Sequence, residues 1–397
     1  MLNSTPADVF GGVEQWMVRA ARGLSSRGHT VGICARPRSM LAERSAGADL
    51  AIVAGAGGAD YDPLRSAALA RAARRNGATI AIVNYNKDLI QAARARRRSP
   101  LRHLVMRSVL PMLDTSVRHQ RLYRRHLDGI ITPSREVRRT IEAYPWMQGV
   151  RVQNIPNGIE LARVDRARAR YGGRGPTRTA FGFTPDHFVI GGVGRLEPHK
   201  GFQDLLEAAV QLAHTRPLTA LVLVGSGSME SELRTRAEAV ARGNLQIVFT
   251  GHLDDPDAVM PAFDVLVLPS TTPYETFGQV LIEAMAFHVP VIGSRIGGIP
   301  EIIKHGQNGL LVDPGEVDGL ASELHRLAVE PELRRRFARV GRRCIEEHYR
   351  EETMIERLER YLFEMGRPEP PLDGRQQVDC SCPSGYSGWV RVMSGIN

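Results

Sequence analysis

Asp264-Val265-Leu266-Val267-Leu268-Pro269-Ser270 is a compact apolar run between Asp264 and Ser270, with the length and β-branched content of a buried strand. Tyr274-Glu275-Thr276-Phe277-Gly278-Gln279-Val280-Leu281-Ile282-Glu283-Ala284-Met285-Ala286 follows it. The loop 271–276 should hand over to a helix beginning near Phe277, whose first-turn N–H groups lack partners inside the helix and point at the loop's mouth. A strand, loop and helix in that order make an anion site. Glu275 is expected at the mouth and Glu283 roughly 9 Å further along, at 1.5 Å per residue, so two carboxylates bracket a phosphate-sized space. The spacing by itself is also that of an exposed helix face carrying solvated Glu residues.

Upstream, Phe188-Val189-Ile190-Gly191-Gly192-Val193-Gly194-Arg195-Leu196-Glu197-Pro198-His199-Lys200-Gly201 runs a strand into a Gly-rich turn that carries two cations. It is not a dinucleotide fingerprint, since Glu197 stands where the third Gly belongs, nor a P-loop, which needs Gly-Lys followed by Ser or Thr. Further strands are expected at Leu221–Gly225, Gln246–Gly251 and Val289–Gly293, and around Leu310 after Asn308-Gly309, each ending in a Gly turn. Gly297-Gly298-Ile299-Pro300-Glu301 would allow close backbone approach at one such end. Asp255-Pro256-Asp257 has the look of an Asp-x-Asp metal motif, but no apolar strand runs directly into it, and it reads as an N-cap before Ala258.

The first half repeats the rhythm. Met1–Pro6 is too short for a full strand, so it is either a stub or a start a few residues inside the natural one. Gly11-Gly12 opens a helix whose apolar residues Val13, Trp16, Met17, Ala20 and Leu24 recur at helical spacing. Strands follow at 30–35, 50–53, 79–83 and 129–132 and, ahead of Asn157-Gly158, at 150–156. Strands alternating with helices imply parallel, doubly wound sheets. We therefore expect two α/β domains, 1–158 and 186–344, a linker over 159–185, a last helix over about 345–363, and a disordered Pro-, Gly- and Ser-rich tail over 366–397.

A chain of 397 residues, 43% of them hydrophobic, can bury two cores. No run approaches 18 apolar residues and no secretion signal opens the chain, so the expected location is the cytosol. Cys34, Cys344, Cys380 and Cys382 suit a reducing compartment and make no zinc-type spacing. A net charge of +9 favours anionic partners without choosing among them. From Arg94 to Arg125 there are ten arginines against one acid, Asp114, interleaved with Leu and Val and interrupted by Pro100 and Pro111. We read short amphipathic helical pieces meeting an anionic membrane surface or lipid-linked acceptor through Arg96, Arg97, Arg98 and Arg102. Too few aromatics stand among them for nucleic acid to be expected.

Taken in order, Gly11-Gly12-Val13-Glu14, Pro156-Asn157-Gly158, Gly194-Arg195 with Lys200-Gly201, Glu275 with Glu283, and Gly297-Gly298-x-Pro300-Glu301 resemble the retaining glycosyltransferases of family four, which have the GT-B fold. The run 114–134 is similar to the branch that builds lipopolysaccharide and other cell-envelope glycans. The resemblance implies two Rossmann-like domains facing a cleft, with the last helix crossing back to the first. It implies a nucleoside-diphosphate sugar as donor, a glycan or lipid-linked hydroxyl as acceptor, and no metal or other cofactor. Arg195 and Lys200 would hold the diphosphate with the N–H groups of Phe277 and Gly278, Glu275 the sugar, Glu283 the ribose diol, and Gly12 and Gly194 would lie against the donor. Many relatives carry a His where this chain has Asn84, Asn86 and Lys87; these are acceptor-side candidates, and neither Asn can act as a general base. Two other readings stay open, a nucleotide-sugar epimerase on the same fold and a non-catalytic glycan- or lipid-binding scaffold.

Overall fold

The computed structural model describes residues 1–4, 6, 10–53, 62–108, 110, 112–240 and 244–365. Pro111, the 366–397 tail and its Cys380 and Cys382 lie outside the described residues. The first lobe contains β1 (Gly32–Cys34), β2 (Ala51–Val53), β3 (Ile80–Val83), β4 (His103–Arg107), β5 (Gly129–Thr132) and β6 (Arg151–Asn154). The second contains β7 (Phe188–Val193), β8 (Thr219–Val224), β9 (Leu245–Gly251), β10 (Val265–Leu268), β11 (Val291–Ser294) and β12 (Leu310–Val312).

The second sheet runs β12-β11-β10-β7-β8-β9, all parallel, with β10 and β8 flanking β7. This order reverses between β7 and β10, and the crevice beyond their carboxyl ends is where open α/β sheets bind ligands. In the first lobe β3-β4-β5-β6 form one parallel sheet and β1-β2 another. Leu2 joins them through single parallel bridges to Cys34 and to Val83, so the stub does the work of a central strand with one residue.

Three expectations need correction. Residues 103–107 form β4, a strand with Leu104, Val105 and Met106 buried, where amphipathic helical pieces were expected. A strand covered on both faces shows no alternation, so arginines on either side gave it the look of a helix. Residues 159–185 are no bare linker: they carry the helices Leu161–Arg170 and Arg174–Ala180, and Val164, Ala167 and Phe183 pack into the second lobe's core. The crossing helix is Glu351–Met365, not one starting near 345; Ile345 and Tyr349, in and just after the helix Pro331–His348, belong to the second core.

That last helix does return to the first lobe, where Met354, Ile355, Leu358 and Tyr361 pack with Trp16, Met17, Ala20 and Leu24. Each fully buried Met, Ile or Leu adds about 1.5–3 kcal/mol, enough to make it a fixed part of that lobe. The two chain crossings between the lobes lie side by side, Ile159 N–H donating to Tyr349 O at 2.9 Å and Glu351 N–H to Ile159 O at 3.0 Å.

Candidate active site

The loops after β7 and β10 are neighbours because their strands pair. Lys200 Nζ lies 2.6 Å from Glu275 Oε2, which also accepts the Ser270 hydroxyl at 3.1 Å. Thr271 N–H donates to His199 O at 3.0 Å, tying the two loops together. Gly201 has φ +68°, and a Cβ there would sit 2.1 Å from Pro269 O, so only glycine permits the contact. The 297–298 turn closes the site from a third side: Gly298 N–H donates to Glu275 O at 3.0 Å, and a Cβ on Gly297 would come within 2.0 Å of the same oxygen. The Gly-Gly pair thus positions the Glu275 backbone.

Gly194 ends β7, and Arg195 beside it is exposed and has no ion pair among the described residues. Burial, with Lys200 and Arg195 nearby, holds His199 below the usual imidazole range, so the ring is neutral at pH 7 and adds no third cation. The helix begins at Gln279, two residues later than expected, with Gly278 as N-cap at φ +92°. The Phe277 ring is buried edge-on to Tyr349 with centroids 5.9 Å apart, leaving only its backbone for a ligand. Glu283 is buried, accepting from Gln279 Nε2 at 3.1 Å.

On the facing lobe, Gly12 is exposed, and a Cβ there would meet nothing within 4 Å. Glu14 steadies this turn, its carboxylate accepting Asn3 Nδ2 at 2.8 Å and Gly11 N–H at 2.9 Å. The acceptor-side candidates fare differently. Asn84 is buried and its amide donates to Leu2 O at 3.0 Å, while Asn86 Oδ1 accepts the Tyr123 hydroxyl at 2.7 Å. Asn84 Oδ1 is buried with no hydrogen-bond partner among the described residues, and Asn86 and Lys87 are both half-buried. Arg96 pairs with Asp128 at 3.0 Å, whereas Arg97, Arg98 and Arg102 are exposed.

Two residues escaped the sequence reading. Arg19 donates to Gly158 O at 3.2 Å and reaches Glu283 at 3.8 Å. Arg107 is buried with its guanidinium 4.5 Å from the centroid of Trp16, and donates to Asn157 Oδ1 at 3.1 Å. Burial pushes its pKa down to about 10, with the Glu14 charge opposing. No pattern marks either, since an Arg on a helix or at a strand end is ordinary until lobes pack around it. Two more contacts join the lobes: Arg44 to Asp254 at 2.9 Å, and the Glu301 carboxylate to the N–H groups of Arg135 and Glu136, each at 2.9 Å.

Arg195, Lys200 and open backbone N–H groups thus face Glu275 and Glu283 at the ends of β7 and β10, an arrangement suited to an anion flanked by hydroxyls. Residues 10–163 match the family model described as Glycosyltransferase Family 4, and residues 176–343 the model described as Glycosyl transferases group 1. The chain is 34% identical over 217 residues to a GDP-mannose-dependent monoacylated alpha-(1-6)-phosphatidylinositol monomannoside mannosyltransferase of Corynebacterium glutamicum, covering 53% of this chain and 55% of that one. It is 28% identical over 236 residues to the lipopolysaccharide core biosynthesis glycosyltransferase LpsE of Rhizobium meliloti, covering 59% and 64%. The chain spans about half the length of the curated relatives it matches. Among solved structures it resembles Anabaena HepE in complex with UDP, with a TM-score of 0.76 at 22% identity, over 91% of this chain and 98% of that one, a likeness of fold. Two matched family models in succession, on two parallel α/β lobes facing a cleft, place the chain in family four of the GT-B glycosyltransferases.

Proposed function

We propose that this protein transfers a glycosyl group from a nucleoside-diphosphate sugar to a hydroxyl of a glycan or lipid-linked acceptor, with retention at the anomeric carbon, in the synthesis of cell-envelope glycan. The observation that carries the reading is the meeting of Lys200 and Glu275 beside the N-terminus of the helix Gln279–Ala286, with Arg195 exposed just after β7. A leaving nucleoside diphosphate gains negative charge as the glycosidic bond breaks, and preset cations and N–H groups stabilise that charge without reorganising. Glu275 takes sugar hydroxyls and Glu283 the ribose diol, since a carboxylate accepts two hydroxyls in one plane. No side chain is assigned as nucleophile. Departure and attack on one face, with the leaving phosphate taking the acceptor's proton, therefore accounts for retention. Closure of the lobes excludes water and limits donor hydrolysis.

The names of the relatives favour an envelope glycan, and a second observation favours work at an anionic membrane face. Leu110, Met112 and Val117 are 53%, 53% and 63% exposed beside the Arg-rich helix Val117–His126. Apolar side chains at the edge of a basic helix suit shallow insertion among anionic headgroups. No helix among the described residues is long and apolar enough to cross a membrane.

The test is a thermal-shift screen with UDP, GDP, ADP, CMP and their sugars. One nucleotide should raise the melting temperature selectively, and Lys200→Ala should abolish the shift. No shift with any of them in folded protein would favour the non-catalytic scaffold. Flotation with anionic liposomes should be lost on substituting Arg97 and Arg98 by Glu, and unchanged binding would remove the membrane from the proposal.

A further inference from the structure

A second cavity, of about 390 Å³, opens at the opposite end of the second sheet, among the residues that lead into β7, β8 and β10. It falls in the size range of small-ligand pockets. The six-residue strand β7 separates it from Arg195 by roughly 20 Å. Arg174, Arg216 and Arg334 line it from three different elements.

Asp264 is the buried counter-charge of this cluster, and it is already saturated. Its Oδ1 takes Arg174, and its Oδ2 takes Arg178 and the Val189 N–H at 2.8 Å. Arg334 stands off at 3.9 Å. Arg216 has no carboxylate partner among the described residues; its Nη2 reaches Asp186 O at 3.4 Å, and its buried Nε has no hydrogen-bond partner among them. Arg216 and Arg334 lie 5.7 and 5.5 Å from the centroid of the Phe188 ring. Burial lowers the pKa of Arg334, Asp264 opposes this, and Arg174 and Arg216 lower it further; Arg334 Nη1 also donates to Ala328 O at 3.1 Å, and Asp186 joins Asp264 as a second carboxylate residue in the lining. His187 also lines the cavity, and its Nδ1 accepts the Thr184 N–H at 3.0 Å, which leaves the ring proton on Nε2 as a further donor. At the rim, Leu218 is 46% exposed and holds φ +61°, a conformation a bulky side chain seldom adopts.

We propose that this cavity is a second anion site, separate from the donor cleft, which binds a phosphate group carried by a small molecule. Guanidinium groups arriving from three directions suit a tetrahedral dianion better than a planar carboxylate, which a single Arg satisfies in bidentate fashion. The exposed Leu218 and Pro217 offer an apolar rim for whatever bears the phosphate. The inference does not depend on the donor assignment.

The probe is inorganic phosphate, compared with sodium chloride at equal ionic strength, on the full chain. Saturating phosphate should raise the melting temperature by about 3 °C, and by the same amount in Lys200→Ala, whose donor cleft is disabled. The shift should vanish in Arg216→Gln and in Leu218→Glu, the second of which adds a carboxylate at the rim and leaves the Asp264 network intact. If Arg216→Gln does not fold, Leu218→Glu decides alone. No shift in the parent chain, a shift lost in Lys200→Ala, or a shift kept in Leu218→Glu would overturn the proposal.

Discussion

Arg19 Nη2 lies 3.8 Å from Glu283 Oε1, joining the first helix of one lobe to the helix Gln279–Ala286 of the other. The two side chains are 18% and 11% exposed, so water screens the pair only partly. Arg19 also sits 3.8 Å from Glu351 and bonds Gly158 O, and through these contacts it couples Glu283 to the crossing between lobes. Arg19→Ala should lower kcat/KM for the donor about tenfold, equivalent to roughly 1.4 kcal/mol. Steady-state kinetics with the donor varied checks this, and a change under twofold would show that Arg19 does not position Glu283.

Glu301 caps a helix of the other lobe, its two oxygens each accepting one N–H of the first turn of Arg135–Glu142. Ser134 caps the same helix from its own lobe, through the Val137 N–H. With that local cap in place, Glu301→Ala should leave the first lobe folded and cost about 1 kcal/mol of contact between lobes. Small-angle scattering should show a larger radius of gyration for the variant. An unchanged radius would mean that other contacts hold the cleft.

Lys200 and Glu275 neutralise one another at 2.6 Å, and the proposed donor would exchange that pair for phosphate and sugar contacts. Lys200→Ala should cut kcat by about 10²–10³, the range seen when one preset electrostatic donor is removed. On the proposed assignment, in which Arg195 and Lys200 hold the diphosphate without a metal, transfer should survive excess EDTA. Loss of activity in EDTA that magnesium restores would contradict that assignment.

Asp257 gives a pH signature. Burial, with the Glu283 charge adding, raises its carboxyl to about 6 despite Arg163 beside it. Its folded pKa therefore exceeds the ordinary value of 3.8, and between those limits the folded chain holds a proton that the unfolded chain has released. Its contribution to stability is thus full below pH 4, falls as pH rises toward 6, and is level above. Asp257→Asn should remove this slope, since the amide is neutral across the range and has no proton to lose. Relative to the variant, the parent's melting temperature should fall progressively from pH 4 to 6 and run level above, and parallel curves would refute the shift.

The second lobe was largely legible in advance. Runs such as 188–193 and 265–268 are apolar without interruption, and each Gly turn stands where a strand hands over to a loop or helix, so local pattern and fold agree. Asp255 also caps its short turn as expected, accepting the Asp257 N–H. The first lobe was harder. β4 lay among arginines, the bonds that Asn84 and Asn86 make inside the lobe left no mark in the sequence, and Arg163 and Arg178, which anchor 159–185 to the second lobe, read as linker charge.

By itself the sequence determined the alternation of strands and helices, the parallel sheets and most of the strands, and it marked Arg195, Lys200, Glu275 and Glu283 as candidates. Hydrophobic period, turn residues and motif spacing are local properties, and they survive without knowledge of what packs against them. Only the tertiary structure decided that Arg19 meets Glu283, that Glu301 caps a helix 165 residues away, and that three arginines surround a saturated Asp264. Whether a charged side chain is a solvated surface group or part of a site depends on what long-range packing removes from water, and sequence spacing carries no record of that.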